Sequence, residues 1–317
     1  MKRTDQPPAD HPFERVSEMS RSEGSDIARS LERRVYVPAR ILLEDRKTII
    51  GLAIMIAYVL MGTVGVWLVP EPTTDGPRLL GPFQSLEYPL GTDAMGHDLF
   101  AMIVHATPPM LLMIASGAVF ATAVATIVGT VAGYKGGFVD DVLTLITDIM
   151  LTIPGLPLII VIVATVGPTN PVVIGVLLTI NTWAGLARTI RAEVLSLRDD
   201  NYVEASRLMG TPTWRIIKAD IVPNVMPYVL INFMMAGRSV IFSAVGLYFL
   251  GLLPFTALNW GVILDMAVGN GALTSTSTIH WVVVPTVVIV VISYGLIMLS
   301  QGMDRLFNPR VRARKRE

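Results

Sequence analysis

Apolar positions along this chain gather into long runs separated by short polar breaks. A helix needs about 20 predominantly apolar residues to cross roughly 30 Å of hydrocarbon, and six runs meet that demand. They span Ile49 to Pro70, the charge-free stretch Ala106 to Tyr134, Val142 to Val166, Val172 to Ala187, Val225 to Leu253, and Trp281 to Met303. The breaks "KGGFVDD" and "GPTNP" carry the Gly and Pro that punctuate a membrane hairpin. The pattern predicts an all-α integral membrane protein with six transmembrane helices, and six crossings put both termini on one side.

Composition agrees: 52% of the 317 residues are hydrophobic and 16% charged, too apolar for a soluble domain of this length. With no cysteine, disulfides and thiolate metal sites are excluded. Formal net charge is zero, yet the basic residues are unevenly placed. Ten Lys or Arg fall in residues 1–47, one at 135, six in 188–224 and six in 304–317, whereas the loops 71–105 and 254–280 hold only Arg78. Basic residues are retained on the cytoplasmic side, so both termini are expected there. The expected organisation is a cytoplasmic tail 1–47 with a short helix around Ser25 to Val35, then a six-helix transmembrane domain 48–303. That domain carries an external loop 71–105 and a cytoplasmic loop 188–224, and a basic tail 304–317 follows, suited to anionic headgroups.

Within the cytoplasmic loop, "YVEASRLMGTPTWRIIKADIVPN" (Tyr202 to Asn224) places Glu204, Arg207, Arg215, Lys218 and Asp220 between two apolar runs. Tyr202 to Met209 reads as a short helix ended by Gly210, whose backbone tolerates the turn. Thr211 as N-cap and Pro212 at the first helical position would start a second short helix through about Lys218, closed by Pro223 before the next span. Two short helices joined by a glycine form a projection suited to docking on a soluble partner; the alternative is an interfacial connector with Trp214 at headgroup depth.

The spacing of Glu204, Ala205, Ser206, Gly210 and Pro223 resembles the "EAA" loop of permease subunits of binding-protein-dependent ABC importers. "DIVPN" is similar to the "HILPN" of the dipeptide, oligopeptide and nickel permease family. "LGTDAMGHDLF", "YFLGLLPFTALNWGVIL" and "FNPRVR" resemble that family's "LGTDxxGRD", "SFLGLG...WGxxL" and "DPRLR" elements, in the same order. The resemblance implies a type I ABC importer permease fold, with this chain as the second permease of a pair. Implied partners are a homologous permease, two cytoplasmic ATPase subunits that bind ATP and Mg, an extracytoplasmic solute-binding protein, and membrane lipid. Glu204 and Ala205 would lie at the packed base of the coupling loop, Gly210 at its hinge-like turn, and Thr213, Trp214 and Arg215 against the ATPase. The implied cargo is di- or oligopeptide, with oligosaccharide and then nickel as alternatives for the same machinery. Three departures bear on cargo: Arg238 where the family more often has a small residue, Ala244 where many peptide-type members have glutamate, and His97 in place of the arginine of "GRD".

No "GxxxxGK[ST]" phosphate loop, "HExxH" or "GxSxG" occurs, so no ATPase, zinc protease or esterase chemistry is expected of this chain itself. Nucleic acid binding lacks its basic and aromatic patch, and the acid chains of many proton-coupled carriers are missing. A secondary carrier and a membrane scaffold remain as other classes. His97, His105 and His280 fit no metal-ligand spacing and are expected to be ordinary loop or interfacial histidines. Arg238 lies halfway along the fifth span, where a cation is costly unless it meets water, a partner or substrate; it is expected to line the translocation pathway, the alternative being a structural ion pair. Asp148 is expected to be structural, and Pro154, Gly155 and Pro157 to bend the third span.

Overall fold

The computed structural model describes residues 45–255 and 257–307. The expected N-terminal helix and nearly all of both tails lie outside these residues. The described chain is helical: α1 (Arg46–Leu68), α2 (Leu99–Lys135), α3 (Gly137–Thr152), α4 (Gly155–Val166), α5 (Pro171–Leu178), α6 (Trp183–Leu197), α7 (Asn201–Leu208), α8 (Thr213–Phe249), α9 (Trp260–Gly269) and α10 (His280–Phe307).

Four of these, α1, α2, α8 and α10, are long and apolar enough to cross a membrane alone. The third and fourth apolar runs are broken helix pairs: α3 and α4 meet at 87°, α5 and α6 at 59°, so the count reaches six if each pair is one span. Pro154 is the N-cap of α4; proline cannot donate to a preceding turn, and the helix restarts in a new direction. The fourth run extends past Ala187 to Leu197, so the expected cytoplasmic loop begins on a helix.

Three further boundaries differ from the sequence reading. α2 begins at Leu99, inside the expected external loop, because the Asp98 side chain accepts from the amides of Phe100 and Ala101 and caps it there. α9 lies in the expected loop 254–280, capped by Asn259, which accepts from Gly261 and Val262. Its buried Trp260 meets Tyr58 edge-on at 5.8 Å, and the Tyr58 hydroxyl donates to the Val288 carbonyl at 2.5 Å, joining α1, α9 and α10. Finally, Pro223 does not close a short helix. A π-helical turn at Ile217–Ile221 precedes it and α8 runs on unbroken to Phe249. The wider turn accommodates the residue without an amide proton, and the Asn224 side chain donates to the Asp220 carbonyl at 2.6 Å.

Two buried clusters result. One joins α1, the start of α2, α4, α5, the later part of α8, α9 and α10; the other joins the later part of α2 to α6, α7 and the start of α8. Down α2 runs a stripe at every fourth position, Gly117, Ala121, Ala125, Gly129 and Gly133, all buried. A Cβ on Gly117 would sit 2.6 Å from the Gly175 carbonyl, on Gly129 2.6 Å from that of Ala187, and on Gly133 2.8 Å from that of Arg191. The backbones of α2, α5 and α6 touch directly, a packing that membrane helices reach through small residues.

Gly129→Val should therefore force α2 and α6 apart and cost about 1–3 kcal/mol or more. Gly246→Ala, where an added Cβ meets nothing within 4 Å, should be neutral or slightly stabilising. Thermal unfolding of both variants in detergent checks the contrast; equal midpoints would mean that the close approach carries no weight.

Candidate functional site

The loop between α6 and α8 is built on the second buried cluster. Val203 on α7 and Ile216 and Ile221 at the start of α8 are fully buried against α2 and α6. Glu204 and Ala205, expected at the packed base, are instead exposed: of α7 only Val203 is buried. Ser206 is half-buried. α7 ends in a six-to-one and five-to-two pair of backbone bonds, from the Thr211 amide to the Ser206 carbonyl at 3.1 Å and from Gly210 to Arg207 at 3.0 Å. That closure puts Gly210 at φ +75°, the left-handed conformation that glycine adopts without penalty. The next helix starts one residue later than expected, with Pro212 rather than Thr211 as its N-cap.

Thr213, Trp214 and Arg215 are exposed, as are Leu208 and Met209, which flank Gly210 at 82% and 77% exposure. An apolar tip beside an exposed tryptophan suits contact with another chain or with membrane. Leu208 and Met209 carry no pattern that singles them out in sequence, because a two-residue apolar step ends many helices. Asn224 is the other unforeseen contributor: its side chain donates to the Tyr202 hydroxyl at 3.2 Å, tying α7 to α8.

Two ion pairs brace the loop from the α6 side. Arg191 grips Asp140 through both carboxylate oxygens at 2.5 and 2.6 Å, and Arg188 pairs with Asp148. They fasten α3 to α6 around a cavity of about 190 Å³ that also meets α2. Asp148 therefore has a structural partner.

Arg238 lies in the same α8 helix as Trp214. Among the described residues it has no ion pair or hydrogen bond, its Nε is buried and unpartnered, and its guanidinium stands 5.4 Å from the Phe242 ring. Two other buried donors, the indole nitrogens of Trp260 and Trp281, are also without partners. Ala244, the second departure, is fully buried two residues beyond Phe242.

At the opposite end, "LGTDAMGHD" folds as a tight knot before α2. Asp93, fully buried, accepts from the amides of Met95 and His97 at 2.8 Å each, and its other oxygen meets His97 Nδ1 at 2.7 Å. The Thr92 hydroxyl donates to the Pro77 carbonyl and accepts from Leu80 at 2.9 Å. Burial pushes the Asp98 carboxyl up, with the amides of Phe100 and Ala101 acting against it. His280, at the start of α10, places Nε2 3.2 Å from the Thr92 carbonyl and Nδ1 3.0 Å from that of Ser277; His105 reaches the Val69 carbonyl at 3.0 Å. These three histidines thus meet a carboxylate or backbone carbonyls and do not converge on one another.

The family model described as "Binding-protein-dependent transport system inner membrane component" matches residues 125–313. The chain is similar to the dipeptide transport system permease protein DppC of Bacillus subtilis, at 29% identity over 86% of this chain and 85% of that protein. It is likewise similar to the oligopeptide transport system permease protein OppC of Mycobacterium bovis, at 30% identity over 72% of this chain and 77% of the other. The OppC of Bacillus subtilis is 27% identical over 72% and 73%.

Because Asp93 satisfies two amides and one imidazole, Asp93→Ala should leave buried donors unpaired and lower stability by about 1–3 kcal/mol or more. His97→Arg should be tolerated, since a guanidinium can meet the same carboxylate. Thermal unfolding of the purified protein distinguishes the two.

Proposed function

We propose that this chain, which belongs to the binding-protein-dependent transport system inner membrane component family, carries di- or oligopeptides across the membrane and is driven through the loop around Gly210. It is an inner membrane permease and has no ATPase domain of its own. Its power then comes from two cytoplasmic ATPase subunits that bind ATP and Mg. A homologous permease completes the pathway, and an extracytoplasmic solute-binding protein delivers cargo. Both termini and the loop face the cytoplasm in this reading, which the distribution of Lys and Arg supports.

One observation carries the coupling route: α8 is a single helix from Thr213 to Phe249. Trp214 and Arg238 stand on it about 36 Å apart, at 1.5 Å per residue. ATP-driven closure of the ATPase pair displaces the loop at Trp214, Leu208 and Met209. A rigid helix passes that displacement to the pathway, where Arg238 offers an unpaired cation. Desolvated in a span, such a group is costly to leave alone, and a peptide carboxylate is its natural counterion. Peptide cargo is supported by the names of the relatives and by this cation. The reaction is vectorial: binding outside and release inside, with no bond of the cargo made or broken by this subunit.

The deciding experiment is ATP hydrolysis by the reconstituted complex with its binding protein loaded in turn with peptides, oligosaccharides or nickel. Stimulation by peptides is expected, and stimulation by oligosaccharides or nickel alone overturns the cargo. Arg238→Met should leave assembly intact and lower peptide uptake about tenfold or more; lost assembly with normal uptake per assembled complex would make Arg238 structural. Gly210→Pro, which forces φ near −65° and removes the amide bonded to Arg207, should abolish stimulation by the loaded binding protein while basal hydrolysis persists.

A further inference from the structure

A second cavity, of about 440 Å³, opens beneath the coupling loop where the ends of α2 and α6 meet α7 and the start of α8. Its wall brings together Lys135, Arg198 and Arg207 with the hydroxyls of Thr211 and Thr213. One carboxylate, Asp199, faces this set, and it is 3.4 Å from Arg198 Nε. Arg198 also reaches the Gly133 carbonyl at 3.4 Å. Arg207 lies over the Tyr134 ring at 5.7 Å, which orients its guanidinium without neutralising it. Among the described residues neither Lys135 nor Arg207 has a carboxylate partner. Three cations and two hydroxyl donors around one already engaged carboxylate make a site for an anion with several acceptor oxygens, as a phosphate ester has.

The position of the cavity selects the form of that phosphate. Lys135 is the last residue of the membrane-crossing helix α2, so the cavity sits at headgroup depth. Tyr134 belongs to its wall, and Phe138, three residues after Lys135 in sequence, is 82% exposed; aromatic rings are favoured at this depth. Basic pockets between spans on the cytoplasmic side hold anionic headgroups. We infer that this cavity binds the phosphodiester headgroup of an anionic phospholipid of the inner leaflet. The headgroup bridges the fixed ends of α2 and α6 to the moving segment Arg207 to Thr213. An anionic membrane thereby sets how stiffly the coupling loop is held. Its assignment to the inner leaflet rests on the orientation and coupling proposed above.

The test uses the complete complex with its ATPase subunits in nanodiscs of phosphatidylcholine carrying increasing phosphatidylglycerol, with retained phosphatidylglycerol counted by native mass spectrometry. Lys135→Gln/Arg207→Gln should retain one phosphatidylglycerol fewer, or need roughly tenfold more for the same occupancy. Arg46→Gln/Lys47→Gln, an equal loss of charge on exposed residues at the start of α1, should behave as wild type. Equal retention by all three proteins overturns the site. Displacement by millimolar inorganic phosphate with no dependence on lipid class overturns the lipid source in favour of free phosphate. Retention only when the ATPase subunits are removed overturns it in favour of an acidic segment of those subunits. Hydrolysis stimulated by the loaded binding protein, measured on the same samples, reports on the transport reading separately: its absence in wild type counts against that reading, whatever the lipid count.

Discussion

Everything else in this protein depends on how closely α2 can approach α5 and α6. The Gly117, Ala121, Ala125, Gly129 and Gly133 stripe brings carbonyls of the neighbouring helices to within 2.6 to 2.8 Å of where a Cβ would stand on three of its glycines. In lipid no hydrophobic force draws helices together, so van der Waals contact between backbones must supply the adhesion. This contact holds α6 rigidly against α2, and the coupling loop hangs from the end of α6. A loop whose base was free to slide could not report a partner's movement.

From that base, polar interactions set direction rather than adding much adhesion. The Asp140–Arg191 fork fixes α3 against α6, and the Asp93 knot with His280 fixes the starts of α2 and α10. Between these two fastened ends α8 runs as one helix, bracketed by an exposed apolar tip and by an arginine with no partner. Stiff ends with a continuous rod between them suit alternating access, because motion at the loop cannot be absorbed by a hinge at Pro223. The π-helical turn leaves that proline inside the helix rather than at its boundary.

The basic cavity under the loop is consistent with the same arrangement. It opens where the ends of α2 and α6 face the segment Arg207 to Thr213. On the coupling proposed above, a ligand held by both sides would act on the loop at a distance from Arg238.

Hydrophobic run length, the segregation of Lys and Arg and the glycine-centred loop were all legible in the residues alone, because membrane thickness, the cost of moving basic residues across lipid and the φ of a helix C-cap act locally. Those constraints specified an all-helical membrane protein, the position of the loop and the residues at its turn. The tertiary structure decided what depends on residues distant in sequence. It broke the third and fourth runs, carried α8 through Pro223, buried Val203 instead of Glu204 and Ala205, and gave Asp148 its partner. Among the described residues it also left Arg238 without one, and gathered Lys135, Arg198 and Arg207 around one cavity. Proline inside a helix reads the same as proline at its end, and a charge reads the same whether or not its counterion lies forty residues away. Only packing distinguishes them.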